Sequence, residues 1–323
     1  MRQPHAIVVP TPFPVGPINV YLLEGPEPAL VDTGPNTDEA MTSLQNGLAE
    51  RGQTLAGIRH LVISHAHPDH YGLAARIAAE SEAKVYSHRY NVELLASDQA
   101  IIKDWGDYYV QALLGAGLPS SLLAGTVRAF STASSYHQPV GVDAALDDGA
   151  VLSLGGDVWE VIHTPGHASG HICLFSGQSG HLLSGDHLLR DISSNPILEP
   201  PLPGEVKRPR SLAQYLRSLE RVAALEVAVT WPGYGAPITD HRQLIARRLR
   251  FHRRRANQIA TLLSAQPRTA YQIATTYFSA LQGMQAFLAV SEVIGHLDIL
   301  EQEGRVSSGL TDGILFYSLT GER

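Results

Sequence analysis

The stretch Ser64-His65-Ala66-His67-Pro68-Asp69-His70 carries three imidazoles and a carboxylate within seven residues. It follows Ile58 to Ser64, an apolar run short enough for a buried β-strand. Side-chain direction in extended chain repeats every second residue, so His65 and His67 can leave the strand end on one side. The loop that follows brings Asp69 and His70 round to a neighbouring point. No packing argument asks for such a group at a strand end. The donors suit zinc, and also iron or manganese, which accept imidazole and carboxylate.

On either side of this stretch the chain alternates between elements. Ala6 to Val9, Val20 to Leu23 and Ala29 to Val31 read as strands, and Thr37 to Arg51 as an amphipathic helix with Met41, Leu44 and Leu48 on one face. A helix is expected from about Gly72 to Ala83, then a strand at Lys84 to Ser87, and that β-loop-α-β order indicates an α/β layered domain. Strand signals stop over residues 91–139. Tyr108 to Leu114 and Ser120 to Phe130 read there as a helical insertion over the active-site edge of the sheet. Strands resume at Val151 to Leu154, Val158 to His163, Ile172 to Phe175 and His181 to Ser184. After a helix at Arg210 to Ala224, a last strand at Val227 to Thr230 closes on Trp231-Pro232-Gly233-Tyr234-Gly235.

The tail reads differently. Residues 239–264 form one long helix carrying Arg242, Arg247, Arg248, Arg250, Arg253, Arg254 and Arg255. Helices are expected at Ala270 to Ala280 and Ala289 to Glu303, then a hairpin of Arg305-Val306 with Ile314 to Ser318 around Asp312-Gly313. That is the outline of a winged helix. The expected division is residues 1–238, the connecting helix 239–264 and a winged-helix-like unit 265–323.

Composition bounds the function. The 323 residues are 44% hydrophobic and 17% charged, which excludes extended disorder, and the length favours two domains. No run approaches the roughly 18 uninterrupted apolar residues of a membrane span. Met1 to Phe13 has Pro and His where an export signal would have an apolar core, so a cytoplasmic location is expected. Cys173 is the single cysteine and reads as a small core residue, leaving metal binding to nitrogen and oxygen donors. A net charge of -7 gives the whole chain no general attraction for nucleic acid.

The heptapeptide resembles the signature of the metallo-β-lactamase-fold hydrolases, and further motifs follow in that family's order. Leu30-Val31-Asp32-Thr33-Gly34 is similar to its early strand, Thr164-Pro165-Gly166-His167 to the turn that supplies a third histidine, and Ser184-Gly185-Asp186 to the strand that supplies a bridging aspartate. The Arg-rich helix and the tail resemble the branch with a C-terminal winged helix, the glyoxalase II-like and β-lactamase-like hydrolases. The resemblance implies a four-layer αββα sandwich with the helical insertion and the added winged-helix domain. It further implies one metal on His65, His67 and His167, and a second on Asp69 and His70 with Asp186 bridging. One or two zinc ions are expected, with iron or manganese as alternatives. Metal-activated water would attack an electrophilic carbonyl or phosphorus, and Asp69 would orient it and carry a proton to the leaving group. Asp32 would fix the tautomer of a ligand histidine by accepting its distal N–H.

The sequence departs from the family at one ligand. Where a histidine stands between two glycines after the domain's final strand, this chain has Gly233-Tyr234-Gly235. Tyr234 ligating as phenolate, substitution by His187 or His241, and a weakened second site all remain open. His171 and His187 are candidates for positions near the site, whereas His5, His60, His88, His137, His163, His181, His252 and His296 read as structural or solvent-facing.

For the substrate, an ester-like bond is expected, above all a thioester of glutathione, coenzyme A or a carrier protein. A nucleic-acid phosphodiester is the alternative, since the arginine stripe leaves RNA open as a partner. A non-catalytic binding protein with an incomplete second site is the third reading. DNA is disfavoured, because the candidate recognition helix carries Glu292, Asp298, Glu301 and Glu303 with no Lys or Arg. A homo-oligomer stays open.

Overall fold

A computed structural model describes residues 3–97, 99–279 and 281–321. Its first sheet begins with β1 (His5–Val9), β2 (Ile18–Leu23) and β3 (Ala29–Val31), each antiparallel to the next. Helix α1 (Asp38–Ala49) follows. Thr37 caps it by accepting the Ala40 N–H, and Ala40, Met41, Leu44 and Leu48 face the sheet at helical spacing. The chain then crosses to β4 (His60–Ile63), which lies parallel to β3 and ends at the histidine motif.

The helix expected from Gly72 to Ala83 is the shorter α3 (Ala74–Glu80), and one further short helix, α2 (Pro68–Tyr71), precedes it. Pro68 sits where the missing N–H costs nothing, at the first turn, so the helix starts inside the motif itself. A Cβ at Gly72 would lie 2.3 Å from the Tyr136 carbonyl and 2.5 Å from the Asn36 nitrogen, so only glycine lets the chain pass there. Strand β5 (Lys84–His88) joins parallel to β4.

The insertion contains α4 (Val92–Ala96), α5 (Gln99–Gly115) and α6 (Ser120–Ser134), followed by the short edge strand β6 (Ala144–Leu146) on β5. The second sheet is built from β7 (Val151–Leu154), β8 (Asp157–His163), β9 (Ile172–Ser176) and β10 (His181–Gly185). After α7 (Ser211–Ala223), β11 (Val229–Pro232) adds parallel to β10, giving the order β11-β10-β9-β8-β7. Between the sheets lies a core of Tyr21, Val31, Val62, Trp159, Val161, Leu174 and Trp231. The outer face of the first sheet packs on α1 and α3. The outer face of the second packs Ile162, Cys173 and Leu182 against α7 and the start of α8 (His241–Leu263). The result is helix, sheet, sheet, helix, as the family resemblance implied.

Helices α9 (Ala270–Tyr277) and α10 (Gly283–Gln302) and the hairpin β12 (Val306–Thr311) with β13 (Ile314–Leu319) complete the chain. Ala280, read from sequence as the end of α9, lies outside the described residues. Asp312 and Gly313 both take positive φ, 50° and 79°, as a two-residue hairpin turn requires. The insertion does not form an independent flap. Tyr109 of α5 stacks on Phe130 of α6 at 4.9 Å, Phe130 meets Phe287 of α10 at 4.7 Å, and Ile259, Ile273, Val293 and Leu297 continue the same apolar core. Helix α10 is the one helix among the described residues long and apolar enough to cross a membrane, but 67% of that window is buried inside the protein, as in a core helix. Its Asp298 is held by Arg208 through two hydrogen bonds of 2.7 and 2.8 Å.

Candidate metal centre

The strand ends converge on one point. His65 leaves β4 and is fully buried. Its Nε2 lies 2.8 Å from His67 Nδ1, which is 3.0 Å from His167 Nε2 on the turn after β8. Beside this trio His65, His70 and Asp186 form a second buried group of donors. Asp186, just past β10, faces both: Oδ1 lies 3.3 Å from His70 Nε2 and Oδ2 lies 3.5 Å from His167 Nε2.

Neighbouring residues orient these ligands. Asp32 follows β3 with φ 62°, a left-handed conformation that turns its carboxylate under the motif. The carboxylate accepts the Ser64 N–H and hydroxyl, each at 2.8 Å, and lies 2.8 Å from His70 Nδ1. Ser64 Oγ also lies 3.0 Å from His65 Nδ1. His171 Nε2 accepts the Asp186 N–H at 3.1 Å while Thr164 holds its other nitrogen at 2.8 Å. His167 Nδ1 is fixed by the Asn195 carbonyl at 2.9 Å.

Charge follows from this placement. Burial and the surrounding imidazoles hold His65 and His67 well below the ordinary histidine pKa, and burial lowers His167 as well. Burial also works against charge on His70, but the Asp186 and Asp32 carboxylates outweigh it and hold His70 well above the ordinary value. Asp186 is held below the carboxylate range despite burial, chiefly by His70.

The residues fit a bound metal. His70 Nε2 and Asp186 Oδ1 face each other in the interior, and neither makes a hydrogen bond. Buried polar atoms of this kind are costly, and a shared cation would satisfy both. Three neutral imidazoles with converging nitrogens are the donor set of a zinc-like ion.

Tyr234 reaches the site from the turn after β11. Its hydroxyl donates to Asp69 Oδ2, and its ring stands edge-on to His70 at 5.9 Å. The turn is anchored on β2: the Asn19 N–H bonds the Gly233 carbonyl at 2.7 Å, and the Asn19 amide bonds the carbonyls of Pro232 and Gly235 at 3.0 and 2.9 Å. A Cβ at Gly233 would sit 2.8 Å from Asp186 Oδ1, so a larger residue there would press on that carboxylate. Burial and the Asp69 carboxylate hold the Tyr234 phenol well above its ordinary pKa.

Of the residues singled out from sequence, the structure brings together His65, His67, His70, His167 and Asp186, with Asp32 behind them. Asp69 belongs to neither group of three donors and instead pairs with Tyr234. His187 is buried one layer back, against the rings of Tyr215 and His171 at 5.5 and 6.2 Å, and burial pushes it down to about 3. His241 stands at the start of α8 beside Glu226 and Arg242, in neither donor group. Sequence reasoning missed Ser64, whose place between a strand end and a histidine was the available signal. It also missed Glu199, for which no local signal exists.

A cleft of about 250 Å³ opens beside His67. Tyr90, Leu94, Trp105 and the run Pro200 to Pro203 wall it, with the carboxylates Glu93, Asp104 and Glu199 and, among the described residues, no Lys or Arg. Glu199 is buried and accepts from both the Ser169 N–H, at 2.8 Å, and the Ser169 hydroxyl. Burial pushes its carboxyl up to about 7.

Comparison with known proteins agrees with this geometry. Residues 13–234 match the metallo-beta-lactamase superfamily. The chain belongs to that superfamily. It is 39% identical over 309 residues to the probable metallo-hydrolase YqjP of Bacillus subtilis, covering 94% of this chain and 93% of that one. A metallo-beta-lactamase family protein of Thermus thermophilus superposes with a TM-score of 0.83 at 30% identity over 98% of both chains. An atrochrysone carboxyl ACP thioesterase of Emericella nidulans is 23% identical over 92% of this chain and 78% of its own. This superfamily member is therefore a metallo-hydrolase, with its His and Asp donors placed to bind metal.

Proposed function

We propose that this metallo-hydrolase cleaves thioesters, in a zinc-loaded form. The cleft beside His67 carries the proposal. Its apolar walls suit an acyl arm, and the exposed carboxylates Glu93 and Asp104 on its wall disfavour a phosphodiester backbone. The likeness to an acyl-carrier thioesterase supports the same class. Three of the seven α8 arginines are engaged within the protein by residues outside the helix. Arg242 pairs with Glu226, Arg248 bonds the carbonyls of Leu189, Arg190 and Ile192, and Arg255 stacks 4.4 Å over Tyr277.

His65, His67 and His167 would hold one ion, and Asp69 and His70 a second, with Asp186 between them. Bound zinc supplies Lewis acidity and lowers the pKa of water toward neutrality. Asp32 accepts the His70 Nδ1 proton and so keeps Nε2 available as a donor. Asp69 orients the attacking water, takes its proton and delivers it to the departing sulfur as the C–S bond breaks. Residues 1–238 form the hydrolase domain in this reading. The α8 linker then leads to a winged-helix-like unit at 265–323, which packs against the insertion rather than reading a nucleic acid.

A substrate panel tests the proposal. Zinc-loaded protein should hydrolyse acyl thioesters of increasing chain length with rising kcat/KM, and leave bis(p-nitrophenyl) phosphate and RNA untouched. Turnover of RNA or the phosphodiester with no thioesterase activity would overturn it.

A further inference from the structure

We propose that Tyr234 is a positioning residue that clamps Asp69 by a hydrogen bond and does not ligate metal. The inference rests on the metal-site reading above and concerns the position where the family places a histidine.

The backbone of Tyr234 has no freedom to adjust. Asn19 and the Tyr21 hydroxyl grip the Pro232–Gly235 turn, the latter through the Pro232 carbonyl at 2.7 Å, and Tyr234 bridges to Ile18 of β2. Gly233 packs its Cα side directly against Asp186. From a fixed Cα a phenol reaches further than an imidazole. Its oxygen therefore passes the point where an imidazole nitrogen would stand and arrives at Asp69 Oδ2. The ring packs in the core that includes Leu189 and Tyr71, which holds it in this rotamer.

The consequence is an exchange of roles. A phenol has one hydrogen, and here it is committed to Asp69. The clamp fixes the Asp69 carboxylate through one oxygen and aims the other, which has to meet water and the leaving group. The second ion then has Asp69, His70 and Asp186 as its protein donors, one fewer than with a histidine, and is the more weakly held of the two.

The test uses full-length protein reconstituted with zinc. Metal content per chain, measured by mass spectrometry after dialysis, should be the same for wild type and Tyr234→Phe. The kcat of Tyr234→Phe should fall by about 10- to 100-fold, the loss expected for a hydrogen bond to a charged group. Its KM should stay close to wild type while kcat falls, because the clamp acts on the reacting step and not on substrate binding. Tyr234→His should bind the second ion more tightly. Loss of one ion per chain in Tyr234→Phe would overturn the inference. So would a tyrosinate absorbance near 295 nm appearing when zinc is added to wild type, a readout that needs no variant to fold. Wild type that binds no zinc at all would instead defeat the metal-site reading itself.

Discussion

Replacing Asp32 by asparagine isolates what the buried carboxylate contributes. Asparagine tolerates the left-handed backbone at φ 62° and matches the shape of aspartate, so neither strain nor a cavity confuses the result. Three donors meet the native carboxylate: the Ser64 N–H and hydroxyl, and His70 Nδ1, all at 2.8 Å. An amide has a single oxygen. If that oxygen keeps the Ser64 N–H, the NH₂ group faces Ser64 Oγ, which can accept, and His70 Nδ1–H, which cannot. His70 must then move its proton to Nε2, the nitrogen that faces Asp186 at 3.3 Å and is needed for the cation. Losing an outer hydrogen bond of this kind typically weakens metal binding about 10- to 100-fold. Metal-free protein should lose about 1.5–3 kcal/mol, the usual worth of a hydrogen bond to a charged group. Competition with a chromophoric chelator measures the first effect, and urea denaturation in excess chelator the second. An Asp32→Asn protein that binds zinc within twofold of wild type would refute the tautomer reasoning.

Two further outcomes follow from groups away from the ligands. Burial raises Glu199 from 4.5 to about 7, so the folded state holds that proton more tightly than the unfolded chain. Stability from this group is therefore present below pH 4.5 and lost as pH rises to 7, by on the order of 3 kcal/mol at most. Glu199→Gln should flatten that part of the stability–pH curve, and an unchanged slope in urea titrations from pH 5 to 7 would contradict it. Arg208→Met would leave the buried Asp298 carboxylate without the guanidinium that now bonds both its oxygens. Breaking such a pair costs about 3–5 kcal/mol, so the urea midpoint should fall markedly, and a change under about 1 kcal/mol would show the pair to be inert.

What the sequence disclosed and what it hid divide by range along the chain. His65, His67 and His70 were legible because the ligands leave one strand end within six residues, whereas His167 and Asp186 were legible only through the resemblance of the Thr164–His167 and Ser184–Asp186 motifs to the family's. An α/β layered domain was legible from the β-loop-α-β order, and the four-layer sandwich through the family resemblance. The edge strand β6 escaped because its three residues are short and two of them exposed. Helix α2 escaped because its four residues lie inside the histidine motif, ahead of the helical stretch read from Gly72. The pairing of Tyr234 with Asp69 spans 165 residues, so the family pattern could mark the tyrosine as a departure but could not say what it touches. The insertion was visible as helices, whereas its packing on α10 through Phe130 and Phe287 is a tertiary fact with no local signature.

The most direct measurement is thioester hydrolysis by chelator-stripped protein before and after zinc is restored, with Asp186→Asn alongside. Stripped protein should be inactive and recover on adding zinc. Asp186→Asn should stay folded but recover little, since it loses the carboxylate set between His70 and His167. Undiminished hydrolysis by protein shown to be free of metal would contradict the central claim that this donor cluster does its chemistry through a bound ion.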